Sequence, residues 1–297
     1  MKISRITTVV GVAAIVALAI AQDSTVLIRR ELKENTSDAY KMVIKTNQTI
    51  DAGGMQMPID VTATADLGLK TLKINAEKKE GELEIKMSNL KVDMGDMAGA
   101  GGGGDMMGEL PKEIITKATI DERNRIKMEA PKTGEGNSNN MMQMMGMMSG
   151  MGDPTGTLGV EFPEKAIKVG DSWEVPVPKN PMLGDVTAKL NAKLVAEKEL
   201  NGVKVYEILI TGKIPVDVDT EKLAKANPQA AAQNPFGGMQ MIMKGTVDTS
   251  TTMLVSKTTG VTLSVESTQK SNINVEMTAQ GMTITTAGTT KVSITKQ

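Results

Sequence analysis

The sequence predicts a mainly β fold: a long, curved antiparallel sheet or half-barrel, or a pair of related half-sheets, with one or two short helices. Three observations carry this expectation. Apolar and polar residues alternate along many short runs, as in Tyr40, Met42 and Ile44 against Lys41 and Lys45, the period of a strand with one wet face. Turn-forming strings separate these runs: Asp51-Ala52-Gly53-Gly54, Asp66-Leu67-Gly68 and Lys79-Glu80-Gly81. From Met243 onward the chain is dense in Thr, Ser and Val, and Thr and Val stiffen at χ1 and suit a pleated surface better than a helix.

At the start, Lys2 and Arg5 precede an apolar run from Ile6 to Ile20 and the string Ala19-Ile20-Ala21. A positive head, a short apolar stretch and an Ala-x-Ala site read as an export signal, residues 1–21, cleaved after Ala21. The competing reading is an uncleaved anchor, but the run is shorter than the ~20 residues that span a bilayer. The expected location is therefore periplasmic or extracellular, with no transmembrane segment after cleavage. Basic and acidic residues number 34 and 35, a net charge of −1, and loss of Lys2 and Arg5 makes it more negative. That balance leaves no electrostatic footprint for nucleic acid. With no cysteine, the fold relies on burial without a disulfide staple.

Residues 22–131 are expected to form an N-terminal β-rich half. It opens with a charged lead-in over 23–36, mildly helical in composition, and continues in strands around 40–45, 59–65, 72–76 and 83–87. Apolar parity then moves to Leu90, Val92 and Met94, a slip that a bulge near Ser88-Asn89 absorbs. Residues 93–108 form a Met/Gly/Ala loop, and a further strand is expected over 114–128. Residues 132–159, rich in Met, Gly and Asn, read as a linker or lid.

A C-terminal β-rich half, residues 160–297, begins with Phe162-Pro163-Glu164-Lys165-Ala166-Ile167-Lys168-Val169-Gly170-Asp171-Ser172-Trp173. Gly170 and Asp171 signal a turn that delivers the single tryptophan, Trp173, onto an alternating face with Val175 and Val177. Trp173 is expected to be a buried anchor with its N–H bonded. The string resembles a Pro-x-x-x-Val/Ile-x-x-Gly-Asp-x-Trp motif of uncharacterised secreted and lipoprotein families of bacteria, domains of unknown function. That resemblance implies a long antiparallel sheet and no assigned activity. No cysteine stands near the cleavage site, so the lipid-anchored form seen among those families is not available here.

Residues 186–196 suit strand or helix. Strand is favoured because Asn201-Gly202 then makes a hairpin with residues 203–210. A helix is expected over 220–232, capped by Thr220 and divided by Pro228. The C-terminal strands are expected around 246–256, 261–267, 273–278, 282–286 and 291–295. Asp38-Ala39-Tyr40 matches Asp171-Ser172-Trp173, and Lys117-Ala118-Thr119-Ile120-Asp121 matches Lys244-Gly245-Thr246-Val247-Asp248. Duplication and chance matching of Thr-rich strings both account for this. Gly170, Asp171, Trp173 and, in the first half, Tyr40 are the expected structural anchors.

The absence of histidine and cysteine removes Ser-His-Asp and Cys-His nucleophilic sites together with His- and thiolate-ligated metals. Two Phe, two Tyr and one Trp are too few for sugar platforms or base stacking. Asp217, Asp219 and Glu221 alternate as calcium ligands do, without the glycine-turned loop, and read as a solvated strand end. No catalytic residue, cofactor or cofactor-binding residue is expected, and the protein is read as a non-enzyme.

The chemically unusual feature is 24 methionines, seven of them at Met141, Met142, Met144, Met145, Met147, Met148 and Met151. Thioethers bind Cu(I) or Ag(I), and they also make adaptable apolar covers. The leading expectation is an exported, envelope-associated protein that binds an apolar ligand or partner on a sheet face covered by Met-rich loops. A Met-based Cu(I)/Ag(I) buffer and an interaction module without a small ligand stand as alternatives.

Overall fold

The computed structural model describes residues 24–95, 112–129, 157–177, 186–226, 240–278 and 281–297. The expected export signal, the four-glycine run at 101–104, the methionines of 141–151 and Pro228 lie outside the described residues.

Alternation along the first half produces β1 (Ser37–Ala52), β2 (Met55–Asn75), β3 (Glu80–Asp93), β4 (Glu113–Asp121) and β5 (Ile126–Met128). The second half gives β6 (Ser172–Pro176), β7 (Lys189–Leu200), β8 (Val203–Asp219), the short helix α1 (Thr220–Ala226), β9 (Met241–Ser256), β10 (Thr262–Met277) and β11 (Met282–Lys296). All eleven strands form one antiparallel sheet in the order β5-β4-β3-β2-β1-β11-β10-β9-β8-β7-β6. It is a half-barrel whose edges, β5 and β6, are not paired with each other. Two meanders advance across it in the same direction and meet at β1 and β11, from Tyr40 opposite Lys296 to Ala52 opposite Ile284.

Local chemistry explains the turns that were legible. Asn201 and Gly202 have φ of 51° and 82°, the left-handed pair of a type I′ turn whose twist matches its strands. In β3, three steps from Ser88 to Lys91 face two from Asp66 to Thr64, and Asn89 sits at φ 53°. This is the bulge that the change of apolar parity requires.

Elsewhere, ladder hydrogen bonds override local signals. Asp66-Leu67-Gly68 is no turn: it lies inside β2, paired to Ser88, Met87 and Lys86, with Leu67 buried. The strand expected over 114–128 is broken by a turn at Asn124, φ 61°, whose buried side-chain amide donates to the Leu158 carbonyl at 2.8 Å. The expected pairs of C-terminal strands fuse into β10 and β11, because Ser, Thr and Asn supply backbone ladder groups as well as Val does. The helix cap is Asp219, whose Oδ1 accepts the N–H of Glu221 and Lys222 at 3.1 and 3.0 Å. Thr220 instead receives the Met241 N–H at 2.9 Å.

The lead-in is extended, and its backbone amides serve the hairpins at one rim of the half-barrel. Val26 pairs with Ile167; Arg30 N–H donates to Glu122 O and Glu31 N–H to Thr259 O, each at 2.7 Å, and Asn35 N–H to Thr71 O at 2.8 Å. It straps this rim, here called closed, where the β4–β5 and β9–β10 turns sit. The other rim carries the β1–β2 and β10–β11 turns and α1, and the β3–β4 and β8–β9 connections leave from it.

Buried apolar side chains of both meanders form one continuous core on the inner face. Lys41, Lys45, Lys244, Asp248, Glu266, Lys270 and Lys291 have the opposite parity and face outward. The matched strings of the two halves fall on the first and fourth strands of each meander, but at different heights. Ile120 lies beyond the Tyr40-Leu67-Met87-Ile114 row toward the closed rim, whereas Val247 lies on the open-rim side of the Trp173-Ala192-Ile210-Thr251 row.

Candidate functional site

The expected anchors sit at the closed rim or beside it. Gly170, at φ 99°, donates its N–H to Leu194 O at 2.8 Å, and Asp171 O accepts the Leu194 N–H at 3.0 Å. The Asp171 carboxylate closes the turn on the Lys168 N–H at 3.0 Å. The motif therefore clips the chain onto β7 before β6 begins. Trp173 shares a row with Ala192 on the inner face; its Nε1–H donates to Glu161 O at 2.9 Å. It is half-buried, packed against the core, and its outer part lines an open cleft of about 500 Å³ with Arg123, Glu161, Glu164 and Ile167. Arg123 is paired there with Glu161 at 2.8 Å and Glu164 at 3.0 Å.

Tyr40 is almost fully buried, and its hydroxyl donates to Thr262 O at 3.0 Å. Burial pushes the phenol well above its ordinary value; Asp38 adds to the rise and Arg30 opposes it. Asp38 binds Arg30 Nη2 at 2.8 Å and Lys296 Nζ at 2.7 Å. These two cations and one carboxylate tie the lead-in, β1 and β11 together behind Tyr40.

The inner face between the rims is different. Directly opposed residues share a face, so the register defines transverse rows. One row reads Thr46, Thr290, Gln269, Thr249, Gly212 across β1, β11, β10, β9 and β8. Toward the closed rim the next row is Ile44, Val292, Ser267, Thr251, Ile210; toward the open rim it is Gln48, Gly288, Ser271, Val247, Ile214. None of these residues is charged, yet the centre of the patch is polar and buried: Ser267 is 3 % exposed, Gln269 2 %, Thr249 6 % and Thr251 4 %.

Most of this polarity is satisfied locally. Thr251 and Ser267 hydroxyls pair at 2.8 Å, and Thr46 and Thr290 hydroxyls at 3.2 Å. Gln269 and Thr249, directly opposite each other, are left over: the Gln269 Nε2 and Oε1 and the Thr249 Oγ1 are buried with no hydrogen-bond partner. Such groups are rare in folded proteins because each costs about 1–3 kcal/mol in lost hydration.

Beyond the row, toward the open rim, the inner face turns apolar again through Met243, Val216, Val218, Ile273 and Val275. The patch is missing from the sequence reading because its strands are Thr- and Ser-rich on both faces, which hides the alternation. The available signal was the interruption of an apolar parity in β9, where Met243 and Val247 lead to Thr249 and Thr251 before Met253 and Val255 resume.

Among the described residues no group of His, Cys, Asp and Glu could hold a metal ion. The Asp219 carboxylate of the acidic cluster is engaged with α1 and held below its usual range, first by the Lys222 backbone N–H. Among the described residues no helix is long and apolar enough to cross a membrane.

No family model matches the chain, and no curated protein matches it. Among solved structures it is similar to lipovitellin, from a study of lipid–protein interactions in that protein, with 9 % identity and a TM-score of 0.44 over 90 % of this chain and 25 % of that one. The chain thus spans about a quarter of the length of that relative. It is also similar to a DUF1329 family protein from Desulfovibrio piger, with 8 % identity and a TM-score of 0.15 over 84 % of this chain and 83 % of that one. At these TM-scores neither likeness bears on the function argued below.

Proposed function

We propose that the protein is a non-enzymatic, exported, envelope-associated binder of an apolar ligand, held on the inner face of the half-barrel. One observation carries the reading: a single, unclosed sheet gathers one continuous apolar core on its inner face, and no charged residue stands on the central rows of that face. Burying an apolar guest there is favourable at about 25 cal/mol per Å², and toward the open rim the edges β5 and β6, not paired with each other, can part to admit it. The methionine-rich stretches of the sequence have the composition of an adaptable apolar cover. The test is titration with an apolar fluorescent dye such as N-phenyl-1-naphthylamine, together with mass analysis of organic extracts of the purified protein. Saturable dye binding and a co-purifying apolar molecule are expected; absence of both overturns the reading.

A second reading, an interaction module without a small ligand, is favoured by the closed-rim half of the face, which its own side chains fill. The Cu(I)/Ag(I) alternative rests on the seven methionines of 141–151. Replacing them with leucine keeps their hydrophobicity and removes the thioethers, so stoichiometric Cu(I) binding lost in that variant would make metal handling the leading function.

A further inference from the structure

Resting on the proposed apolar-ligand function, we propose that the guest is an amphiphile with an uncharged polar group, an ester, amide or hydroxyl. Gln269 and Thr249 take that group while the apolar part lies along the inner face toward the open rim. The geometry supplies both halves of this recognition.

Gln269 and Thr249 face each other across β10 and β9, each more than nine-tenths buried. They are bare while the Thr46–Thr290 hydroxyl pair on the same row and the Thr251–Ser267 pair on the next are satisfied. An unused amide offers two N–H donors and an acceptor, and a hydroxyl offers one donor and an acceptor. Together they match a group that accepts and donates at once. A carboxylate or phosphate is disfavoured because no cation stands on the three central rows, and an unpaired ion buried there is costly. The charges beside Tyr40, Asp38 with Arg30 and Lys296, are engaged with one another at 2.8 and 2.7 Å and lie off these rows. A pure hydrocarbon leaves the amide as bare as before, so it gains nothing from the row. On the open-rim side, Ile273, Val275, Met243, Val216 and Val218 provide the surface for a chain.

In the unliganded protein the side-chain polar atoms of Gln269 and Thr249 are buried, so entry needs the half-barrel to spread. That spreading belongs to the open rim: β5 and β6 are not paired with each other, whereas at the closed rim Asn124 with Leu158 and Trp173 with Glu161 tie the two edges through the segment between them.

The experiment displaces N-phenyl-1-naphthylamine from the full chain with monooleoylglycerol, oleamide and, at pH 8, oleate, in the wild type and in Gln269→Leu. The two neutral amphiphiles are expected to compete about tenfold better than oleate, a factor worth one buried hydrogen bond. That advantage disappears in Gln269→Leu, read as the ratio of the competition constants of the three amphiphiles within each protein, which does not depend on the variant's affinity for the dye. Thr249→Val, isosteric at the neighbouring position, gives a smaller loss in the same direction and serves if the first variant does not fold. Dye binding with equal competition by all three amphiphiles, or an advantage that survives both substitutions, overturns this inference and leaves the apolar-ligand function standing, with water alone on the row. No dye binding at all overturns both.

Discussion

The Tyr40 hydroxyl reaches the Thr262 carbonyl at 3.0 Å across an intervening strand, since β11 lies between β1 and β10 in the sheet. The bond joins residues 222 positions apart and is a direct consequence of curvature: on a flat sheet, strands two apart lie ~10 Å from each other. It also gives Tyr40 a titration signature. The folded state holds the phenol protonated above the unfolded value of 10.0, so the unfolded state releases its proton first as pH rises. Stability is therefore fully present below about pH 10 and falls above it. We expect Tyr40→Phe to cost about 1–2 kcal/mol at neutral pH and to flatten the alkaline decline. Chemical denaturation at pH 8 and pH 11 checks this; an unchanged alkaline slope contradicts it.

Asp38→Ala is expected to destabilise by about 3 kcal/mol. It strands Arg30, whose side chain is 6 % exposed, and Lys296, 30 % exposed, and breaking a buried pair by removing one partner is far costlier than the pair is worth. Replacing Arg30 by Met in the same variant should recover part of the loss, read as a shift of the urea midpoint. No recovery would mean that Asp38 acts through something other than this charge.

Trp173→Ala is expected to fall toward the lower end of the ~3–5 kcal/mol for truncating a large aromatic, because the indole is half-buried. Trp173→Phe, which loses the N–H to Glu161 O, should cost about 1 kcal/mol. Loss of stability in neither variant would show that the motif does not anchor β6.

The inner face also carries glycines where the neighbouring strand comes too close for a side chain. A Cβ on Gly245 meets Asn272 O and lies 2.7 Å from Ile273 Cα; on Gly288 it lies 2.7 Å from Asn47 O. All of these are backbone atoms that cannot swing away. Gly245→Ala and Gly288→Ala are each expected to cost about 2–3 kcal/mol, Gly245 the more. Midpoints equal to wild type would mean the sheet flattens there without penalty.

How much of this was legible follows from what each signal depends on. The Asn201-Gly202 turn and the bulge at Asn89 were readable because they are local: backbone conformation and side-chain parity are written in adjacent residues. Asp66-Leu67-Gly68 misled because a turn signal yields to pairing on both sides, and β2 is paired on both. The helical cast of the lead-in yielded in the same way to carbonyls of three separate hairpins. The row of Gln269 and Thr249 was invisible, since it exists only once β10 is placed beside β9 in one register.

Gln269→Leu carries a prediction of its own for the ligand-free protein. Removing a bare buried amide should raise stability by about 1 kcal/mol, seen as a higher denaturant midpoint at unchanged slope. A lower midpoint would show that the amide is already served, by a buried water for example.

The pairing of β1 with β11 constrains how the chain reaches this state. Every other contact in the sheet joins strands that are consecutive in sequence, so each meander can form by itself as it emerges. The central ladder must wait for the last strand and then close over most of the chain length, which makes it the slow step of assembly. Until then the long edges of β1 and β10 lie open as templates for other chains. A protein truncated before Met282 is thus expected to aggregate rather than populate a smaller native sheet.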